Sequence, residues 1–359
     1  MRCWTASPAV TAPPNSSRAL KRLSEAGHLT QLTEDELIAA YFAPLAGDAG
    51  LRLSDDAALL RAPLGRELVL TKDMLVARVH FFSNDPPAAI ARKALRVNLS
   101  DLAAKGAEPL GFLLGLALPE DWTTDWLGAF AKGLGEDAAL FQCPLLGGDT
   151  VKTPGPLTIS ITAIGAVAPG KMILRGAAEP GDLIYVTGTI GDAALGLKLR
   201  LGATCDQDWI GALNEADAAF LLDRFLLPQP RLALKGALAS NAHAAMDVSD
   251  GLTGDLSKML RLAGLTAKIP AANIPLSRAA REALRLEPKL IEPVCAGGDD
   301  YEILCAVPLA KSAAFEAAAQ AAGVMVSAIA SAAPGDAPPV FEDREGRKLI
   351  FARPSFQHF

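Results

Sequence analysis

Apolar and polar positions along the first half of the chain change between strand-like runs and helix-like periods. Residues 33–41 read as a first helix, with a threonine as N-cap and acidic residues in the first turn. A long helix is predicted over 87–105, because Leu95, Leu99 and Leu102 recur at helical spacing. The other predicted elements of this half are strands at 57–60, 67–71, 111–118, around 145 and at 157–167, and a helix at 124–139.

Breaker residues interrupt the chain between 168–170 and 179–181, where Pro and Gly cluster between apolar segments. Helical and strand-like segments alternate beyond this point, which predicts an α/β (α+β) fold in two domains. We predict a disordered extension over 1–31, an N-terminal domain over 32–175 and a C-terminal domain over 176–359. The elements predicted after the boundary are strands at 183–186, 244–248, 301–307 and 324–329, and helices at 192–201, 216–225, 231–240, 252–262 and 310–321.

Composition narrows the class of protein. Of 359 residues, 50% are hydrophobic and 21% are charged, which is typical of a packed protein with more than one core. The net charge of −6 argues against general nucleic-acid binding. No apolar run has the length of a membrane span, and the five cysteines lack metal-site spacing, so we expect buried thiols in a reducing cytoplasm.

Six short acidic motifs stand where apolar runs end. They are 54–56, 72–73, 98–101, 147–150, 247–251 and 297–300. Carboxylates that converge repel one another by about 4 kcal/mol per close pair at an effective dielectric near 20, so only cations make such a cluster tolerable. Oxygen ligands without His or Cys favour Mg²⁺, which commonly joins carboxylates to substrate phosphates. The pattern predicts a metal-dependent phosphoryl-transfer enzyme.

Each motif also has a plainer interpretation. The tandem acid at 55–56 fits a surface turn, the pair Asn98 and Asp101 fits a solvated helix face, and the glycine pair before Asp149 fits a hairpin. Ser249 or Asp250 suits a helix N-cap. Two further features stay open in the same way. Arg175 is either a phosphate clamp or a surface arginine, and 188–191 is either a phosphate contact or a tight strand-to-helix turn.

Nothing in the sequence offers a nucleophile or a general base. The four histidines form no triad with Ser, Cys or Asp neighbours, and no Walker A sequence is present. A phosphate-monoester acceptor is already ionised near neutral pH, so positioning and charge neutralisation suffice for transfer to it.

Taken in order, these motifs resemble the thiamine-monophosphate kinase family, from the superfamily of aminoimidazole ribonucleotide synthetase and selenophosphate synthetase. The matching stretches are 54–60, 73–76 with 79–81, 93–104, 146–150, 247–252 and 297–302. The resemblance implies direct in-line transfer from ATP to thiamine monophosphate, with several Mg²⁺ ions and no catalytic side chain that becomes phosphorylated. It further implies a cytoplasmic homodimer in which the N-terminal sheet contributes to a barrel across the two subunits.

The resemblance also assigns roles to residues of this chain. Metal-ligand positions are held by Asp56, Thr71, Lys72, Asp73, Asp101, Asp149, Asp247 and Asp250. Positions that contact ATP are held by Gly148, Asp149, Arg175 and Ser249. Positions that hold thiamine monophosphate are His80, Asp299 and Phe356, the last of which would offer an aromatic face.

Three positions depart from the family pattern. Lys72 stands where a threonine often helps to hold a metal, Ser54 replaces a glycine, and Asp299 replaces a longer glutamate. Other functions consistent with the motifs are a non-catalytic relative that binds thiamine phosphates or nucleotides, and another ATP-dependent member of the superfamily. Turnover of thiamine monophosphate with ATP distinguishes them. We expect no nucleic-acid or membrane partner.

Overall fold

A four-stranded mixed sheet forms the centre of the first half of the molecule. The computed structural model describes residues 33–353 and Ser355. The strands are β1 (Glu67–Val76), β2 (Glu108–Leu118), β3 (Leu145–Lys152) and β4 (Thr158–Val167). Their order is β1-β4-β2-β3, in which β2 and β3 run parallel and the other neighbours run antiparallel.

Helices cover one face of this sheet. They are α1 (Glu34–Leu37), which continues as a π-helical turn over Ile38–Phe42, α2 (Pro87–Ala104) and α3 (Thr124–Leu140). The predicted apolar stripe of α2 is confirmed, since Leu95, Leu99 and Leu102 are completely buried against the sheet. Thr33 also caps α1 as predicted, because its hydroxyl accepts the Glu36 amide at 3.3 Å.

The second half contains another four-stranded sheet, and this one is antiparallel throughout. Its strands are β5 (Leu183–Thr187), β6 (Ala244–Asp247), β9 (Ile303–Val307) and β10 (Val326–Ser331), in the order β10-β5-β9-β6. Two short ribbons join β7 (Leu265–Thr266) to β11 (Ala333–Pro334) and β8 (Lys268–Pro270) to β12 (Val340–Glu342).

Helices of the second half pack on both faces of its sheet. They are α4 (Asp192–Leu201), α5 (Gln207–Ala212), α6 (Glu215–Leu226), α7 (Lys235–Asn241), α8 (Leu252–Leu262), α9 (Arg278–Leu286), α10 (Ile291–Ala296) and α11 (Ser312–Ala321). Turns of 3₁₀-helix lie at Ala43–Leu45, Asp48–Leu53, Thr204–Asp206, Leu232–Leu234, Ala271–Asn273, Pro288–Leu290 and Leu309–Lys311. The mixed α/β architecture agrees with the predicted fold class. The domain boundary at 175/176 stays a prediction.

Several predicted elements are wrong. Residues 57–60 form no strand, and the motifs at 72–73 and 147–150 lie inside β1 and β3 rather than at turns. Strand pairing overrides the local polarity there, because alternate side chains of a strand point to opposite faces and a polar residue can face outward. Helices α5, α9 and α10 were not predicted.

The two halves meet along α2. Ala103 and Ala104 at the end of this helix pack with Tyr185 and Ile303 of the second sheet in one apolar cluster. The Ser100 hydroxyl donates to the Tyr301 carbonyl at 3.1 Å. The C-terminal part of α2 therefore packs against the second sheet and connects the two halves.

Two smaller expectations also meet the structure. The predicted buried thiols are found at Cys143, Cys295 and Cys305, whereas Cys205 is exposed. Within 33–353, no helix combines the length and the apolar character needed to cross a membrane.

Candidate functional site

The inner face of the first sheet, which is the face that α2 covers, carries the first predicted ligands. Thr71 and Asp73 alternate with outward-facing residues of β1 and are both half-buried. The Thr71 hydroxyl donates to the Asp101 carboxylate of α2. The Asp73 amide donates to Asn98 Oδ1 at 3.2 Å, so Asn98 fixes the strand against the helix.

A fourth residue joins this group from the second sheet. Asp247 ends β6 with only 8% of its surface exposed. Burial raises the pKa of Asp247 well above its usual value, and the negative charges of Asp101, Asp255 and Asp73 raise it further. Burial, together with the charge of Asp101, likewise raises the pKa of Asp73 to about 6. We call Thr71, Asp73, Asp101 and Asp247 the inner group.

Positive charge beside the inner group is limited. The Lys105 ammonium donates to the Ala245 carbonyl at 2.9 Å rather than to a carboxylate. Burial lowers the pKa of Lys105, while Asp247 and Asp101 oppose that shift and Arg175 adds to it. The three carboxylates of the inner group thus have only Lys105 and Arg175 as nearby cations among the described residues. The excess of negative charge favours binding of a further cation.

Asp250 and Ser249 lie on the loop that follows β6. Asp250 pairs with Lys258, which also binds Asp255 at 2.9 Å. The Asp250 amide donates to Asp255 Oδ2 at 2.8 Å. The expected N-cap at Ser249 or Asp250 is wrong, because Gly251 occupies the N-cap position of α8.

Gly251 is required there by its backbone. Its φ of 100° is one that side chains rarely adopt, and a Cβ would lie 2.6 Å from the carbonyl group of Ala296. The loop is therefore pressed against the end of α10. The two aspartates of this loop have different neighbours. Asp247 lies with the inner group, and Asp250 pairs with Lys258.

The outer face of the first sheet carries the other predicted metal residues. Asp149 of β3 lies in the cross-strand row of Gly115, Ser160 and Met74, which is the row next to that of Asp73 and so faces the opposite side. Asp149 and Asp56 line one open groove of about 770 Å³ on this face. The sheet thus separates this pair from the inner group.

Lys72 also belongs to the outer face. It is exposed and pairs across the ladder with Thr162, which lines the same groove. We call Asp56, Lys72 and Asp149 the outer group. Within 33–353, no three His, Cys, Asp or Glu side chains of either group form a ready-made metal cage.

Gly148 has a structural reason to be glycine. A Cβ at this position would lie 1.9 Å from the Leu114 carbonyl oxygen, because β3 approaches β2 closely here. The motif is therefore part of a strand, and the interpretation as a hairpin is wrong. Gly148 and Asp149 both line the groove.

The residues expected to hold the acceptor lie around Lys93. Its ammonium donates to Asp299 Oδ2 at 2.8 Å and to the His80 carbonyl at 3.1 Å. His80 Nδ1 accepts the Val76 amide at 3.0 Å, which fixes a tight turn after β1. Phe356 lies outside the described residues.

Tyr301 lies between Asp299, one of the residues expected to hold the acceptor, and the inner group. Withdrawal of its hydroxyl from water raises the pKa of Tyr301 well above its usual value, and the charge of Asp299 is the next largest cause. The charges of Asp73, Asp247 and Asp101 contribute after it. The charges of Asp299 and of the three inner carboxylates therefore all act on the Tyr301 hydroxyl.

The turn at 188–191 is not open to an anion. Both carboxylate oxygens of Asp300 accept the Gly191 amide, at 2.9 and 3.0 Å, at the start of α4. A carboxylate of the protein itself thus occupies this helix N-terminus. Of the two interpretations of this turn, the structure favours strand-to-helix packing.

Sequence reasoning gave no role to Lys93, Asp255, Lys258 or Tyr301. Lys93 falls on the same stripe of α2 as Arg96 and Ser100, and such a polar stripe on a largely apolar helix was the available signal. Lys258 and Asp255 lie on one face of α8, three residues apart. No local pattern marks Tyr301.

Comparison with known families supports the resemblance. The N-terminal domain of AIR synthase related proteins matches residues 54–167, and the C-terminal domain of the same family matches residues 179–340. The thiamine-monophosphate kinase of Caulobacter vibrioides is 43% identical over 331 residues, which covers 91% of each chain.

Solved structures agree with this comparison. The thiamine-monophosphate kinase of Stenotrophomonas maltophilia superposes with a TM-score of 0.73 at 37% identity, over 83% of this chain and 91% of the other. AaThiL complexed with AMPPCP and TMP gives a TM-score of 0.71 at 28% identity, over 93% of this chain and 100% of the other.

Proposed function

Because the chain belongs to the thiamine-monophosphate kinase family, within the AIR synthase related proteins, we propose that it phosphorylates thiamine monophosphate with ATP. The products are thiamine diphosphate and ADP. One observation of the structure supports this reaction above the others: carboxylates of both sheets converge at the inner group, in a place where positive charge is scarce.

The inner group fits Mg²⁺ by the chemistry of its donors. Thr71, Asp73, Asp101 and Asp247 offer only oxygen atoms, and burial, followed by the charges of neighbouring carboxylates, raises the pKa values of Asp73 and Asp247. Bound Mg²⁺ would neutralise these carboxylates and the substrate phosphates, and would stabilise the charge of the transferred phosphoryl group. We propose several ions per site, with Asp250 as a further ligand once Lys258 releases it.

The acceptor needs orientation rather than a general base. The terminal phosphate of thiamine monophosphate is a monoester and is already ionised near neutral pH. We propose that His80 and Asp299 hold the thiamine part, and that Phe356 adds an aromatic face. The half-exposed carboxylate of Asp299 supports this role, because it is close to Tyr301 and hence to the inner group.

The donor side is proposed to involve the outer group and the loop after β6. Gly148 and Asp149 border a groove of about 770 Å³ on the outer face, and β3 is an edge strand of the sheet. We therefore propose that ATP binds along this groove and that its phosphates pass around the β3 edge toward the inner group. Arg175, exposed and near Lys105, would bind phosphate, and Ser249 would contact ATP from the loop.

A second copy of the chain is proposed to cover the outer face. Leu70, Met74, Leu68, Val151 and Leu113 are exposed there, with Leu70 at 64% and Met74 at 52%. An apolar sheet face of this kind is typical of a protein interface. Such a homodimer would also close the groove that Asp56 and Asp149 line. We further propose a cytoplasmic location, which the free thiols support.

The direct test is turnover of the purified chain with ATP, Mg²⁺ and thiamine monophosphate, with thiamine diphosphate and ADP measured in equal amounts. Chelation of Mg²⁺ is expected to abolish both products. Asp101→Asn should lower kcat by about a hundredfold or more, since it removes one charge of the inner group.

Asp208→Asn is the matched control, because Asp208 is an exposed acid on α5 away from both groups. Its kcat should stay within about twofold of the parent. Hydrolysis of ATP without thiamine diphosphate, or binding of both substrates without any product, would count against the kinase and favour a non-catalytic relative.

A further inference from the structure

Lys93 is a buried cation that the proposed chemistry does not use. Only 3% of its side chain is exposed, although the side chain ends in an ammonium group. Burial of an ammonium is unfavourable unless its donors find partners. Here the partners are Asp299 Oδ2 at 2.8 Å and the His80 carbonyl at 3.1 Å, and the Phe225 ring centroid lies 4.1 Å away.

The two oxygen partners come from different halves of the molecule. His80 belongs to the turn after β1, and Asp299 belongs to the loop before β9. Asp299 adopts a φ of 72°, and its amide donates to the Ser249 carbonyl at 2.9 Å. The Asp299 backbone is therefore fixed to the loop after β6, while its side chain is fixed to α2.

The helix that carries Lys93 is a rigid support. From the same stripe of α2, Arg96 donates to the Pro228 carbonyl at 3.1 Å and Ser100 donates to the Tyr301 carbonyl at 3.1 Å. Arg96 is in turn held by two bonds to Asp137 of α3. A side chain anchored on such a helix can hold its partners within a narrow range of positions.

We propose that Lys93 is a positioning residue for the acceptor, which sets the Asp299 carboxylate and the His80 turn at a fixed separation. This inference rests on the proposed function, because it assumes that those two residues receive thiamine monophosphate. The ammonium binds one oxygen of Asp299, and 28% of the Asp299 side chain remains exposed. Lys93 itself does not touch the substrate.

The test compares KM values for the two substrates in Lys93→Met. The KM for thiamine monophosphate should rise by about tenfold or more, because a hydrogen bond to a charged group is lost on the acceptor side. The KM for ATP should change by less than about twofold. A merely structural loss would raise both values together, and that outcome would overturn the proposal.

Arg92→Met is the matched control. Arg92 is one residue away on the same helix and pairs with Glu136, so its loss removes a cation without touching either acceptor residue. Both KM values should stay within about twofold in this variant. A selective rise for thiamine monophosphate in Arg92→Met would overturn the assignment to Lys93.

Amide hydrogen exchange separates this inference from the proposed function. In Lys93→Met without substrate, exchange should increase in peptides covering 78–82 and 297–301 and stay unchanged in β9 and β4. If the parent chain makes no thiamine diphosphate, the proposed function fails on that result alone. Exchange then decides the role of Lys93: unchanged protection of both segments would refute it, and a local increase would sustain it.

Discussion

The two four-stranded sheets of this chain differ in how many of their faces are covered by helices. In the second sheet, every residue of β6 and β9 is buried, because helices pack on both sides. In the first sheet, β1 and β4 alternate between buried and accessible positions, because α2 and α3 cover only one side. The accessible side is nevertheless apolar, with Leu70, Met74 and Val151 exposed.

The difference shows which sheet has both faces covered within a single chain. The second sheet has its own closed core, whereas the first sheet leaves an apolar face and a groove with acidic residues that a partner can cover. The inner group lies where the closed side of the first sheet meets the second. The outer group lies on the uncovered side. The acidic residues are thus divided by a sheet and not gathered in one pocket.

The largest expected effect is in the closed sheet. Leu304→Ala removes a completely buried side chain from β9, and we expect the free energy of unfolding to fall by about 3 kcal/mol. Urea unfolding measures it. Leu309→Ala, at a side chain that is 67% exposed, is the control and should lose less than about 0.5 kcal/mol. Equal losses would show that the Leu304 side chain does not lie in a closed core.

The next effect concerns the open face. Leu70→Asp places a charge in the proposed interface, so dimer dissociation should increase by about tenfold or more, which is about 1.4 kcal/mol. Sedimentation measured over a range of concentrations tests this. Leu309→Asp carries the same change outside that face and should dissociate like the parent. A parent chain that is monomeric at all concentrations would refute the proposed dimer.

The inner group should make stability depend jointly on pH and Mg²⁺. The pKa of Asp73 in the folded chain, about 6, is above its ordinary value. The folded state therefore holds the proton more tightly, and the metal-free chain loses this contribution as the pH rises through that value. Above about pH 6, Mg²⁺ is expected to take the place of the proton on Asp73.

We thus expect Mg²⁺ to raise Tm by several degrees at about pH 7.5, and by less than about half as much near pH 5. Thermal unfolding with and without Mg²⁺ measures the two increments. Asp208→Asn should reproduce the parent at both values. Equal increments at both pH values would contradict Mg²⁺ binding at the inner group.

The smallest effect is expected at Lys72. Lys72→Thr restores the residue type that the family often has, at an exposed position, so stability should change by less than about 0.5 kcal/mol. The Mg²⁺ concentration for half-maximal turnover should fall by a few fold, because a hydroxyl ligand replaces a competing ammonium. An unchanged Mg²⁺ requirement would mean that Lys72 has no part in metal binding.

Local patterns sufficed for much of the fold. Predicted helix 192–201 coincides with α4, and 252–262 coincides with α8, because apolar periodicity and flanking glycines define both ends within the segment itself. The extent of β1 and β3 was not predicted in this way. Their polar residues are compatible with a strand because neighbouring strands supply the backbone hydrogen bonds, while the side chains face either the open side or polar partners on α2.

The candidate site was likewise predictable only in part. Its acidic residues, their oxygen-only chemistry and their order along the chain were readable in the sequence, because residue type is a local property. The face of the sheet on which each one lies was decided by strand register, which is set by pairing with distant strands.

The pairing of Lys93 with Asp299 joins residues that are 206 positions apart, and nothing local in either one announces it. The sequence by itself therefore determined which chemistry is available to this protein and which segments coil or extend. Only the tertiary structure decided which charges share a buried space, because burial and charge proximity depend on contacts between segments that the chain brings together when it folds.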